Sequence, residues 1–256
     1  MVLSNSKPFF LLLVQFLMLH RNWDDTSFNF PNFSGPYPNT VLTFQGDARI
    51  IRGVIDPTNF VKNAEIVPSA GRATYALPVR LWDSKSGKVA SFTTTFSFKI
   101  SNGPNTGDGI AFFLAPFGSN MPRDSAGGYL GLFSRDTALR NTNKNHIVAV
   151  EFDMHQNEWD PAATPHIGID VNSISSVATV RWEIEELGVP TVSATVSYDS
   201  KTQIFGMALN DGTVVAYEID LRTVLPEFVS VGFSGATGVL IEDHEILSWT
   251  FSSSFD

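Results

Sequence analysis

Apolar and polar residues alternate one by one along much of the chain, the signature of strands with one buried face. In Ser91-Phe-Thr-Thr-Thr-Phe-Ser-Phe-Lys-Ile100, the residues Phe92, Phe96, Phe98 and Ile100 point one way. Thr93, Thr95, Ser97 and Lys99 point the other. Thr26-Ser-Phe-Asn-Phe30, Thr191-Val-Ser-Ala-Thr-Val-Ser-Tyr198 and Ile246-Leu-Ser-Trp-Thr-Phe251 also read as strands. Asn210-Asp-Gly212, between Phe205-Gly-Met-Ala-Leu209 and Thr213-Val-Val-Ala-Tyr217, is a hairpin turn. Ala111-Phe-Phe-Leu-Ala-Pro116 is apolar throughout and should be buried on both faces. Helix signals are nearly absent; Thr223-Val-Leu-Pro-Glu227 has room for one turn. Short strands separated by Gly, Pro, Asn and Asp turns predict an all-β, antiparallel sandwich. Residues 134–145 read as a loop, and no linker, repeat or low-complexity tract follows residue 22.

Composition narrows the function classes. The 256 residues are 43% hydrophobic, enough for one sizeable core. A net charge of -9 without a basic cluster argues against nucleic acid and against electrostatic membrane binding. With no cysteine there is no disulfide framework, thiolate metal site or cysteine nucleophile. Lys7 precedes an eleven-residue run from Phe9 to Leu19 holding only one polar residue. It is too short to span a bilayer and reads, within residues 1–21, as a secretory signal. Residues 22–256 would then form one domain, with no membrane insertion. Asn32-Phe-Ser34 is a glycosylation sequon.

The richest chemistry lies in Glu151-Phe-Asp-Met-His-Gln-Asn-Glu-Trp-Asp160, with His166 six residues on. It continues the β-like run His146-Ile-Val-Ala-Val150, so Glu151 and Asp153 share one strand face. Two neighbouring carboxylates do not both stay ionised cheaply without a cation. Asn157, Asp160 and His166 add further donors, ahead of Ile167-Gly-Ile-Asp-Val171. Oxygen ligands suit calcium, and an added imidazole suits a transition metal. The plainer alternative is a strand end with solvated acids.

Three other segments are candidates for binding. Thr106-Gly-Asp-Gly-Ile110 sets Asp108 between glycines at the mouth of a buried strand, unless it is only a tight turn. Gly127-Gly-Tyr-Leu-Gly-Leu-Phe133 lets a ligand approach the main chain, unless it is a glycine-rich turn. Gly235-Ala-Thr-Gly-Val-Leu-Ile-Glu-Asp-His-Glu245 is a loop ahead of a strand.

Together these segments, in this order and from about Thr26 to Phe251, resemble the legume lectins. The resemblance implies a jelly-roll β-sandwich that binds glycans or glycoproteins through a calcium and a manganese, about four ångströms apart. By position, Glu151 and His166 would bind manganese, Asp153 and Asp160 would bridge, and Ser176 would hold a manganese-bound water. Asn157 and the carbonyl of His155 would bind calcium. The sugar would meet Asp108, the N–H of Gly128, Asn157, the ring of His155, and Gly238, Val239 and Leu240. In the family the peptide bond before that aspartate is cis. His244 and Glu245 resemble residues that shape the loop's end. Family members are homodimers or homotetramers of the secretory pathway, extracellular or in the storage vacuole.

The chain departs from the family at two positions. Gly107 stands where Ala is usual, and His155 where Phe or Tyr stacks on the sugar. An imidazole is a smaller, wetter platform, which implies altered or weakened sugar specificity. Two other classes compete. One is a defence or storage relative that has lost sugar binding. The other is a jelly-roll glycosidase, whose Glu-x-Asp-x-Glu strand is spoiled here by His155. The sequence reading is therefore a non-catalytic lectin.

Overall fold

A computed structural model describes residues 25–59, 61–62, 65–101, 106–140, 144–161, 165–183 and 191–255. The expected signal segment lies outside them. The strands are β1 (Thr26–Phe30), β2 (Leu42–Gly46), β3 (Arg49–Ile51), β4 (Val54–Asp56), β5 (Val61–Lys62), β6 (Glu65–Ile66) and β7 (Ser69–Tyr75). Then come β8 (Val79–Arg80), β9 (Ser91–Ile100), β10 (Gly109–Pro116), β11 (Val148–Asp153), β12 (His166–Val171) and β13 (Ala178–Arg181). The last are β14 (Val192–Asp199), β15 (Ile204–Leu209), β16 (Val214–Glu218), β17 (Phe228–Thr237) and β18 (His244–Ser254).

Two eight-stranded antiparallel sheets carry the fold. The back sheet runs β16-β15-β14-β9-β18-β4-β3, with β1 also on β18. The front sheet runs β13-β12-β11-β10-β17-β7-β2, with β8 on β17. The hairpin β15–β16 closes through residues 210–212 as expected. The predicted turn falls at Leu221–Thr223, slightly ahead of the predicted stretch, because Asp220 caps it by accepting from the Arg222 N–H; Pro38–Val41 and Gly127–Tyr129 make two further short turns.

Alternation places Phe92, Phe96 and Phe98 inside, facing Phe112, Phe152 and Phe233 of the front sheet. The rings meet edge to face, Phe96 to Phe233 and Phe233 to Trp249 each at 4.9 Å between centroids. Such geometry adds about 0.5–1.5 kcal/mol per pair to what burial supplies. Thr94 breaks the phenylalanine row for a reason. Its hydroxyl accepts from the Trp249 indole at 2.9 Å and donates to the Thr250 carbonyl at 2.7 Å. In β18 a bulge between Ile246 and Ser248 puts Ile246 and Trp249 on one face, where strict alternation would part them.

Strands β10 and β11 are buried on both sides. Ile110, Phe112, Val148 and Val150 face the inter-sheet core. Ala111, Phe113 and Ala149 face a second cluster built by the loop residues Leu130, Leu132, Phe133 and Ala138. Arg72 on β7 pins that loop, donating from Nε to the Gly131 carbonyl (2.7 Å) and from a terminal nitrogen to that of Leu132 (3.0 Å). Its guanidinium lies over the Phe113 ring, and burial lowers its pKa to about 10, so it stays charged at neutral pH. The loop layer is thus fixed over one end of the front sheet.

Candidate functional site

The predicted residues converge at that end. Antiparallel pairing sets Asp153 opposite His166 and Glu151 opposite Gly168. Glu151, Asp153 and His166 are fully buried, and their ligand atoms lie within 4.8 Å of one another. His166 Nε2 is 3.2 Å from Glu151 Oε1. Ser176 donates toward Glu151 Oε1 (2.5 Å) and Asp170 Oδ1 (2.8 Å). One hydroxyl proton cannot serve both. Gly168 is what admits this cluster, since a Cβ there would run into Ser176 Oγ and come within 2.5 Å of Glu151 Oε1.

The loop after β11 folds over its own acids. Asp153 Oδ1 accepts from the His155 N–H (2.7 Å), and Asp160 Oδ2 accepts from the Asn157 N–H (2.5 Å). Three buried carboxyl groups, of Glu151, Asp153 and Asp170, thus crowd one space, with the half-buried Asp160 beside them. Burial, then the charge of Glu151, raises Asp153 and Asp170 well above the ordinary carboxylate range. Burial chiefly raises Asp160. Glu151 Oε2, Asp153 Oδ2, Asp170 Oδ2 and Asn157 Oδ1 are buried oxygens with no protein donor. A set of acceptors with one imidazole and too few protons is fitted to divalent cations.

Asp108 stands beside this cluster. Its peptide bond to Gly107 is cis, as the family resemblance implies. Its N–H donates to Ala236 O (3.1 Å) and its carbonyl accepts from the Met154 N–H (2.9 Å), tying it to β17 and to the end of β11. Its Oδ2 is buried without a partner. Burial first, then the nearby Glu242 carboxylate, pushes its pKa up to about 7. Two glycines leave it room. A Cβ on Gly127 would lie 3.8 Å from Asp108 Oδ2, and one on Gly238 only 2.9 Å away.

Asn157 lies directly on Gly128, where any Cβ would overlap the amide. Gly128→Ala is therefore expected to displace Asn157 and to lower any divalent-ion affinity of this cluster by about tenfold or more. Titration of the two proteins with divalent cations checks it. Ion affinity equal to the parent's would show that Asn157 had not moved or does not ligate.

His155 is half-buried and packs on Gly107, so that a Cβ at 107 would sit 2.8 Å from that of His155 and 3.6 Å from that of Leu240. The two positions that depart from the family pattern are thus in contact. Val239 is 98% exposed at the loop tip, free to meet a ligand rather than the core. Glu245 is half-buried opposite Lys99, while His244 is buried. Asn32 is exposed, its Oδ1 accepting from the Ser34 N–H.

Sequence reading missed three contributors. Asp170 shares a strand face with His166 and Gly168, which alternation alone would have given. Trp159 stacks on Tyr129 at 5.5 Å and 19°, joining the acid loop to the glycine loop. Glu242 acts on Asp108 from the last loop, with its Oε2 buried and unpartnered.

Comparison with known proteins agrees with this architecture. The legume lectin domain model matches residues 25–256. Lectin 7 of Medicago truncatula is 46% identical over 270 residues, covering 98% of this chain and 98% of that protein. Agglutinin-2 of Cladrastis kentukea is 44% identical over 273 residues, covering 99% of this chain and 92% of its own. The solved structure of lectin UEA-II complexed with galactose aligns with a TM-score of 0.80 at 41% identity, over 91% of this chain and 100% of that one.

Proposed function

The chain belongs to the legume lectin family, and from that premise we propose that it holds a sugar at Asp108, beside a calcium and a manganese ion. It is a carbohydrate-binding lectin, a class that binds without catalysis. Glu151 and Asp153 are wholly buried beneath the site, where no glycosidic bond could reach them as a catalytic pair.

Glu151 and His166 would hold the manganese and Asp153 and Asp160 would bridge. Asn157 and the carbonyl of His155 would hold the calcium, and Ser176 a manganese-bound water. The ions would supply positive charge among acids and fix the 153–160 loop. The sugar hydroxyls would donate to Asp108. The Gly128 N–H and the Asn157 amide would donate to sugar oxygens. His155, Leu240 and Val239 would line the rim, with Gly238 close against Asp108. One observation carries this reading. Acceptors of Asp108 and Asn157, buried and without protein donors, lie against Gly127, Gly128 and Gly238, beside the acid cluster.

Residues 22–256 would be the mature domain, released from a signal at 1–21, carrying a glycan on Asn32, and assembled as a homodimer or homotetramer. No helix among the described residues is long and apolar enough to cross a membrane. The location we propose is the secretory pathway, ending outside the cell or in a storage vacuole.

A glycan array read with and without divalent ions tests the function, with elemental analysis of never-chelated protein beside it. Fewer than one ion per chain, or glycan binding indifferent to chelation, would overturn the ion assignment. His155→Phe tests the altered platform. The phenyl ring keeps the Cβ that Gly107 accommodates and stacks better, so monosaccharide affinity should rise several-fold, up to about tenfold, at unchanged ion content. Calorimetric titration of ion-saturated proteins decides it, and no gain would mean that residue 155 does not limit affinity.

A further inference from the structure

The loop 238–243 reaches the sugar site by leaning on it. Gly238 abuts Asp108 and Gly127, and Leu240 flanks Gly107. Its backbone makes one internal hydrogen bond, from the Gly238 N–H to the Leu240 carbonyl (3.1 Å), and Asp243 binds Ser101, its carbonyl accepting from the Ser101 N–H (3.0 Å) and its N–H donating to Ser101 Oγ (2.7 Å). A second, buried set of polar groups holds the same end. His244 Nε2 lies 2.8 Å from Glu242 Oε1, and His244 Nδ1 lies 3.1 Å from the Thr58 hydroxyl. Thr58 Oγ1 also lies 3.4 Å from Asp56 Oδ1, so the hydroxyl links the imidazole to that carboxylate whichever of the two takes its proton. Thr58 is held in turn, its N–H donating to Asp56 Oδ1 (3.0 Å), and Asp56 pairs with Arg49 (2.5 Å). The line of contacts runs from a half-exposed arginine on β3 to the sugar loop.

Acid, imidazole and hydroxyl in this order activate nucleophiles in hydrolases. Here Glu242 and Thr58 are 2% exposed and His244 1%, so no substrate reaches them. Stability is a poor reason for the cluster too. A buried ionisable pair costs desolvation, and well-packed apolar residues of the same volume would hold the core as well or better. What such a pair gives is one defined geometry. Glu242 is the loop's last residue but one, and it also acts electrostatically on Asp108. We propose that Thr58, His244 and Glu242 form a clasp that sets the distance between the 238–241 loop and Asp108, making all three positioning residues for sugar selectivity.

This rests on the lectin reading above, so the test has an arm that needs no sugar. Thr58→Val removes the hydroxyl at constant shape and touches neither the ion cluster nor the proposed sugar contacts; Thr58→Ser restores it. The expected result is that Thr58→Val speeds amide hydrogen exchange in the 236–243 peptide about tenfold and leaves the 148–171 peptide at the parent rate. The ranking of glycans on an array should shift, the best ligand losing about tenfold. Ion content should not change, and Thr58→Ser should recover both readouts. If Thr58→Val does not fold, Thr58→Ala is read in the same way. Unchanged exchange in 236–243 overturns the clasp whether or not the parent binds sugar. Faster exchange with an unchanged glycan ranking in a sugar-binding parent overturns the selectivity role. A parent that binds no glycan fails the lectin reading and removes the selectivity role with it, while the exchange arm still decides whether the clasp exists.

Discussion

Asp108→Asn is expected to abolish measurable sugar binding while ion content stays at the parent's level. The carboxyl is held from both sides of its backbone, and its Oδ2 is buried without a donor. It can accept two hydroxyl protons only as a carboxylate. An amide of the same shape turns one of those positions into an N–H, which leaves a buried donor facing a donor. Losing one hydrogen bond to a charged group, about 1.5–3 kcal/mol, and leaving a buried donor unpaired, about 1–3 kcal/mol more, would cost roughly a hundredfold or more. Stability should not suffer in the same way. The asparagine is neutral beside Glu242, where the aspartate is resisted by burial and by charge. Calorimetric titration with the best array ligand, alongside a melting curve, measures both. A variant that binds as tightly as the parent would place the sugar elsewhere.

The second large effect is an inversion of acid stability on removing divalent ions. Ion-stripped protein should become more stable as pH falls from 8 toward 5. Asp108, Asp153, Asp160 and Asp170 all hold their protons to higher pH when folded than the ordinary value of an unfolded aspartate. The folded state therefore binds more protons across that window, so stability present below about pH 4 is lost as pH rises through the folded values. For Asp108 that loss centres near pH 7. Ion-loaded protein should do the opposite, because the proposed cations on Asp153 and Asp160 would keep those groups ionised and acid would expel the cations. The stripped form should gain a few kcal/mol on acidification, roughly 5–10 °C in Tm for a domain of this size. Scanning calorimetry of chelated and reloaded samples across pH 5–8 reads it. Parallel loss of stability in both samples would show that the acids are not the ions' ligands.

Much of this was legible in the chain because it is periodic or local. Alternation gave the Phe92–Phe98 face, and it also put Glu151 and Asp153 side by side. The run from Glu151 to His166 lies on one hairpin, so its order along the chain is nearly its order in space. Other features left no such trace. Thr58 and His244 meet across 186 positions, and nothing in either segment names the other. The contact between Gly107 and His155 is likewise a product of how two strand ends are brought together. The bulge in β18 breaks the period that the reading relied upon. Asp170 was missed for a different reason. It obeys the alternation, but as the lone carboxylate of an apolar strand it makes no pattern of its own.

The division between local and distant parts carries a consequence for how the molecule assembles. Glu151, Asp153, Asn157, Asp160, His166, Asp170 and Ser176 all belong to β11, β12 and their flanks. Asp108, Gly128 and Gly238 come from three widely separated stretches. Closing a hairpin costs little chain entropy, whereas joining distant strands costs more and comes later. The ion cluster can thus take shape on a nascent hairpin, before the sandwich is complete. The sugar-binding face can exist only in the finished fold. Recognition of a glycan is then a certificate of correct folding, which ion uptake alone would not be.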